Sequence, residues 1–179
     1  TAVESLSDRV LGHLDKGHTR ADVAAALSAV REAGIVLRPS FVAFTPWTTL
    51  DDYVEMLDFV EREGLIDHVD PIQYGIRLLV PPGSLLLEQA ALRQAIGSLD
   101  ERAFSHRWEH PDPRMDALHR EVTALVAEAA EREEDPGVTF YRIRDLALAR
   151  RAGGPLPSPW SPPDPKRPRA PRLTEPWFC

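Results

Sequence analysis

Cysteine is almost missing from this chain: among 179 residues there is one, Cys179. A lone thiol excludes an internal disulfide and any all-cysteine metal site built within the chain. Uninterrupted apolar sequence is also scarce. No run approaches the ~20 residues needed to span a bilayer, and nothing near Thr1 has the order of a secretory signal. The expectation is a cytoplasmic protein with no membrane partner. Basic residues are outnumbered, 21 Lys and Arg against 28 Asp and Glu. From Pro155 onward four basic residues (Lys166, Arg167, Arg169, Arg172) face two acids (Asp164, Glu175), so the net charge of −7 becomes −9 over the residues before Pro155. Phosphate contact needs a basic face, so nucleic acid is not an expected partner.

What is present is the composition of a globular domain, 43% hydrophobic and 27% charged, in a chain of ordinary single-domain length. The clearest local grammar lies in residues 34–59. Residues 35–44 are aliphatic, β-branched or aromatic except Arg38, Pro39 and Ser40, which predicts a strand buried on both faces, as in a parallel sheet. Pro39 donates no ladder hydrogen bond and should sit near the strand's start or at a bulge. The loop Thr45-Pro46-Trp47-Thr48-Thr49 follows, and Thr49 is placed to cap a helix over residues 50–63. Asp51 and Asp52 fall in its positive first turn, and Gly64 fits its stop. Units of this kind carry their chemistry on the loop after the strand.

Before this unit, residues 1–5 read as the tail of a strand whose beginning lies elsewhere, so a fragment of a longer protein is the expectation. Ser7 predicts the cap of a helix over residues 8–16, and Thr19 with Asp22 a capping box for a helix ending at Ala33. Residues 72–80 read as a further strand closed by Pro81-Pro82-Gly83-Ser84. The expected architecture of residues 1–84 is therefore α/β, with about three parallel strands in an open sheet or part of a barrel. Beyond it, residues 84–96 look helical, 98–108 short and mixed, and 114–132 a long amphipathic helix with a weaker one over 138–151. This gives an α-helical extension over 85–152. Nine of the 17 prolines fall in residues 153–179, predicting an extended, mostly disordered tail.

Several residues are candidates for chemistry. Glu4 and Ser5, leading from a strand end into a helix, bring a carboxylate and a hydroxyl to a potential ligand, or simply cap the helix. His18 is a ligand candidate or an ordinary loop residue. Arg38 and Arg77 lie in predicted strands, where an unpaired charge costs several kcal/mol; each must face a polar cavity or an acid, and Glu4 is one candidate partner. Gln73 and Tyr74 are weaker candidates. His106, His110 and His119 with Glu109, Asp112 and Asp116 match no strong metal spacing, so no metal site is assigned. Lys166 to Arg172 reads as a basic arm, a polyproline ligand or a solubilising linker, and Cys179 as a reactive thiol or an inert one.

Resemblance goes further. The run VESLSDRVLGHLDKGHT, residues 3–19, resembles the fourth-strand segment of radical S-adenosylmethionine (SAM) enzymes. FVAFTPWTTLDD, residues 41–52, is similar to their fifth-strand pattern, with Pro46, Thr49 and Asp52 matching and Phe44, Trp47 and Thr48 departing from the usual Gly, Gly and Glu. Pro82-Gly83-Ser84 matches the family's ending of the last strand. QYGIRLLVPPGS (73–84), RWEHPDPRMDALHREV (107–122) and the tail 172–179 look most like the subgroup whose tails read CUAEP or CCAEP. The resemblance implies the C-terminal part of a partial (β/α)6 barrel, missing its N-terminal half. It implies reductive cleavage of SAM to a 5′-deoxyadenosyl radical acting on an unknown substrate. A [4Fe–4S] cluster is implied in the intact protein, on cysteines this chain lacks, so the chain alone is expected to be inactive and marginally stable. By the same resemblance Glu4, Ser5, Arg38, Ser40, Gln73 and Arg77 are the expected cofactor-binding residues, and Cys179 is a possible redox tail, with selenocysteine as its expected successor. The competing expectation is a non-catalytic α/β binding or scaffold module that pairs with a partner chain; a metal hydrolase using His106, His110 and His119 is a third.

Overall fold

The computed structural model describes residues 1–154, 160–167 and 169. It is a mixed α/β structure, about half helical, with a few short strands. In chain order come β1 (Ala2–Glu4), α1 (Asp8–His13), α2 (Arg20–Glu32), β2 (Ser40–Phe41) and α3 (Leu50–Arg62). Three 3-10 turns follow (Ile66–His68, Pro71–Gly75, Leu85–Glu88), then α4 (Ala90–Arg93), β3 (Ile96–Asp100), β4 (Ser105–Trp108), α5 (Pro113–Glu131) and α6 (Pro136–Ala152). No helix among the described residues is long and apolar enough to cross a membrane.

The helix starts form where capping chemistry dictates. Thr19 and Thr49 each accept a hydrogen bond from the backbone three residues on, while Asp22 and Asp52 bond back to the cap. Each box satisfies two otherwise orphaned N–H groups. Ser7 occupies the capping position of α1 without a side-chain cap, and α1 stops at His13, short of the expected Lys16. α3 buries Leu50, Tyr53, Val54, Met56, Leu57, Phe59 and Val60. At about 2 kcal/mol for each large apolar side chain, this face is the strongest single source of cohesion in the α/β part. α5 buries Met115, Leu118, Val122, Leu125, Val126 and Ala129, and α6 buries Phe140, Ile143 and Ala147. One contiguous set of buried side chains runs from Val3 to Ala147, so residues 1–84 and 85–152 share a core.

The predicted strands are mostly not regular strands. Of residues 35–44 only Ser40–Phe41 form β2, pairing parallel with β1, and Phe44 makes a single parallel bridge to Arg77. Ile35 belongs to the end of α2, because Gly34 adopts φ 67° and the Ile35 N–H bonds Val30 O. Ile35 and Val36 are therefore 59% and 53% exposed rather than buried on two faces. Residues 72–80 begin as a 3-10 turn, started by Pro71, whose fixed φ suits the first helical position. Its later backbone is satisfied partly by side chains: Trp108 Nε1 donates to Leu78 O at 2.8 Å, and Val80 N to Ser105 Oγ at 2.9 Å. Residues 84–96 split into a 3-10 turn and the short α4, and the mixed stretch 98–108 is an antiparallel hairpin, β3–β4. Parts of the proline-rich tail are not free: Trp160 stacks on Tyr141 and Arg167 bonds Asp67 and Asp135. Cys179 and the rest of residues 170–179 lie outside the described residues.

Candidate functional site

At the end of β1, Glu4 takes the left-handed conformation, φ 65°, and its carbonyl accepts from Val42 N at 2.9 Å. That turn directs the chain into Ser5, which is buried and whose Oγ accepts from Ser7 N at 3.1 Å. The Glu4 carboxylate holds Lys16 at 2.9 Å. His18 folds back with Lys16: its Nδ1 lies 3.2 Å from Lys16 O and its Nε2 3.2 Å from Val3 O. The loop joining α1 to α2 is thereby tied to the backbone and side chain of the β1 end. The Glu4–Lys16 pair is partly exposed and holds the loop for at most about 1 kcal/mol.

The loop after β2 is organised by a fully buried hydroxyl. Thr45 Oγ1 accepts from Trp47 N at 3.2 Å and Thr48 N at 3.1 Å, and meets Thr48 Oγ1 at 2.8 Å. The loop so shaped lays the Trp47 indole on the His13 ring, 4.4 Å between centres and 16° between planes. Trp47 is 9% exposed, and its Nε1–H is buried without a partner. Arg9 reaches across to Trp47 O and to Asp52 at 3.2 Å. Burial pushes the Asp52 carboxyl up, but hydrogen bonds from Thr49 backbone and side chain, with help from Ser7 and Arg9, leave it below its ordinary value.

The third segment turns its charge toward the helical extension. Arg77 Nη1 donates to Asp116 at 2.7 Å and Nη2 to Trp108 O at 2.6 Å. With Glu109, Pro113, Asp116, His119 and Arg120 it lines an open cavity of about 410 Å³. Burial, followed by the nearby Arg77 charge, lowers the His119 pKa below its ordinary 6.5.

The six expected cofactor residues do not share one set of partners. Glu4 and Ser5 stand at the end of β1. Arg38 and Ser40 stand beside its start: Thr1 N donates to Arg38 O at 2.8 Å, Ser40 Oγ to Thr1 O at 3.2 Å, and Arg38 pairs with Asp70 at 2.5 Å. Gln73 Oε1 accepts from Phe41 N at 3.1 Å, and Arg77 faces α5. The expected Glu4 partner for an arginine is instead Lys16. The histidines are also apart. His106 Nδ1 meets Gly97 O, His110 Nδ1 accepts from Asp112 N, and His119 packs edge-on against Phe44. No group of three His, Cys, Asp or Glu among the described residues is placed to hold a metal ion.

The chain by itself does not fit the implied iron–sulfur cluster. An iron–sulfur cluster needs several thiolates, and this chain has one cysteine. At the end of β1 the Glu4 carboxylate and the Ser5 hydroxyl are both engaged within the chain, and in the loop after β2 the Trp47 N–H is buried without a partner. Trp47 and His13 were not among the expected site residues. Trp47 stands where the resembled pattern has Gly, and that departure was the available signal. No family model, curated protein or solved structure matches the chain.

Proposed function

We propose that this chain is the C-terminal part of a radical SAM enzyme, contributing one wall of the cofactor cleft through Glu4 and Ser5. The observation that carries the reading is the lateral order of the strand ends. β1 pairs parallel with β2, Phe44 beyond β2 bridges parallel to Arg77, and α2 and α3 are the crossovers between them. Successive parallel segments joined by helices are how a (β/α) barrel wall is built. The other edge of β1 carries no strand among the described residues, which suits a continuation by residues outside this chain. The proposed reaction class is reductive SAM cleavage. The cluster it requires must be held by cysteines outside this chain, so no step is assigned to residues here beyond binding and orientation.

A non-catalytic binding module is favoured by a different observation: Glu4, Arg38 and Arg77 are each already paired inside the chain, with Lys16, Asp70 and Asp116. One experiment separates the two. The reading frame upstream of Thr1 is sequenced, and the longer protein is reconstituted anaerobically with iron and sulfide. A Cys-x3-Cys-x2-Cys motif and SAM-derived deoxyadenosine, diminished in Glu4→Gln, are expected. An upstream frame without that motif overturns the enzyme and leaves the module.

A further inference from the structure

Residues 160–167 and 169 do not lie on the body at random. Trp160 stacks on Tyr141 with ring centres 5.0 Å apart and planes 12° from parallel, and its Nε1 donates to Asp145 at 2.9 Å. Tyr141 is itself held by Glu61 at 3.0 Å. Arg167 donates to both oxygens of Asp67, at 2.6 and 2.8 Å, and to both oxygens of Asp135, at 3.1 and 2.8 Å. Arg169 adds a further bond to Asp135. Trp160, Pro163 and Arg167 are the partly buried residues of this segment, and the residues between them are exposed. Inward residues separated by solvated ones, with a turn in which Arg167 N bonds Asp164 O at 3.1 Å, describe a docked peptide segment that bends to present Arg167.

The seat is shaped for this occupant at one position above all. Gly137, in the first turn of α6, has no left-handed φ that would require glycine. A Cβ there would lie 2.7 Å from Pro163 Cγ and 2.8 Å from Arg167 Nη2. The seat also joins distant parts of the chain, since Asp67 precedes the helical extension while Asp135, Tyr141 and Asp145 belong to it. A cavity of about 260 Å³ lies beneath, lined by Gly64, Ile66, Tyr141, Pro163 and Arg167 among others.

We infer that Gly137, Tyr141, Asp67 and Asp135 form a peptide-recognition groove for a proline-containing segment with an aromatic anchor and an arginine fork presented on a turn, and that its occupant is residues 160–167 of the same chain. The groove works as a clasp that fastens the extension to the α/β part, independently of the enzymatic reading above. Trp160 supplies a flat anchor of low conformational entropy. Arg167 supplies planar, charge-assisted bonds that a lysine cannot duplicate.

The 179-residue chain tests this by limited trypsin digestion at the exposed Lys166. Docked, the Lys166–Arg167 bond is protected; released, it is cleaved. Gly137→Ala and Arg167→Gln are each expected to accelerate cleavage at least about tenfold, the mark of a local opening equilibrium, with helix content by circular dichroism unchanged. Arg167→Lys should rescue little. Wild-type cleavage as fast as that of a free peptide of the same sequence overturns the clasp, as does equal protection in both variants. Should either variant lose helix content, the indole N–H exchange rate of Trp160 in the wild type decides, since a docked indole exchanges slowly and a free one does not. A dimer in light scattering that becomes monomeric in Arg167→Gln overturns occupation by the same chain.

Discussion

The guanidinium of Arg77 lies 3.5 Å from the centre of the Trp108 ring, while its nitrogens bond Trp108 O and Asp116. A cation over an indole and beside a carboxylate is stabilised by both, and more so where both are partly desolvated. Asp116 has a second task, because its other oxygen accepts from His110 N at 2.9 Å.

Asp116→Ala therefore strands a partly buried guanidinium and a backbone N–H together. A loss of about 2–3 kcal/mol in urea unfolding is expected. Arg77→Lys keeps the charge but loses the fork and the planar stack, for about 1–2 kcal/mol. Equal stability of both variants with wild type would show that the cluster does not hold β4 and α5 to the third strand segment.

His119 makes stability depend on pH in a defined direction. Burial first, and Arg77 second, hold its folded pKa below 6.5, opposed by Gly75 and Asp116, with Arg120 adding a small repulsion. Between that lowered value and 6.5 the unfolded chain binds more protons than the folded one, so stability rises with pH across this window. Urea midpoints measured from pH 5 to 7 should climb, and His119→Gln should flatten the climb. An unchanged slope in the variant would assign the dependence elsewhere.

The clasp has its own acid limit. Hydrogen bonding from Arg167 comes first among the causes that hold Asp135 below 3.8, with Gly137 N and Arg169 assisting against burial. A depressed carboxyl contributes stability above its unfolded value and loses it as pH falls through its folded one. The clasp should therefore begin to weaken below about pH 3.8 and the Trp160 indole become free only as pH falls through the lowered folded value, followed by its proton resonance. Arg167→Gln should show a free indole already at neutral pH.

Which parts of this fold were legible follows from how local their causes are. The box Thr19–Asp22 closes within four residues and the sequence shows it directly; at Thr49 the sequence shows the cap, and the bond back from Asp52 completes a second box. The stripe of α5, Leu118 to Ala129, is likewise a matter of periodicity. The strand at residues 1–5 was legible, as β1, but the extents of the next two were not, because their apolar residues answer to neighbours the pattern does not contain. Ile35 is taken by the end of α2, and Pro71 winds the next segment into a 3-10 turn. The hairpin escaped notice because no Asn-Gly or Asp-Gly marks it. Asp100 makes the turn instead, accepting from Arg102 N and Ala103 N, with Phe104 at φ 49°. Of the expected site, Glu4 and Ser5 do stand at a strand end, whereas Arg38 and Ser40 flank a strand start, a distinction that depends on the register of β1 against β2. Arg167 and Asp67 are a hundred positions apart in the chain, and no local signal joins them.

Thr45 offers the sharpest test of the loop after β2. It is fully buried, and one oxygen serves Trp47 N, Thr48 N and Thr48 Oγ1 together. Thr45→Val preserves shape and removes that oxygen, leaving Trp47 N and the Thr48 hydroxyl unpaired in the interior while Thr48 N keeps only Thr45 O at 3.3 Å. The expected cost is about 2–4 kcal/mol, since unsatisfied buried groups forfeit their solvation without compensation. Thr45→Ser keeps the oxygen and deletes a methyl, for only about 1 kcal/mol. The pair separates hydrogen bonding from packing, because a purely steric role would reverse their order. The indole of Trp47 reports on the same change: when the loop relaxes in Thr45→Val, its stack on His13 opens and its fluorescence shifts red, while in Thr45→Ser it stays where the wild type has it.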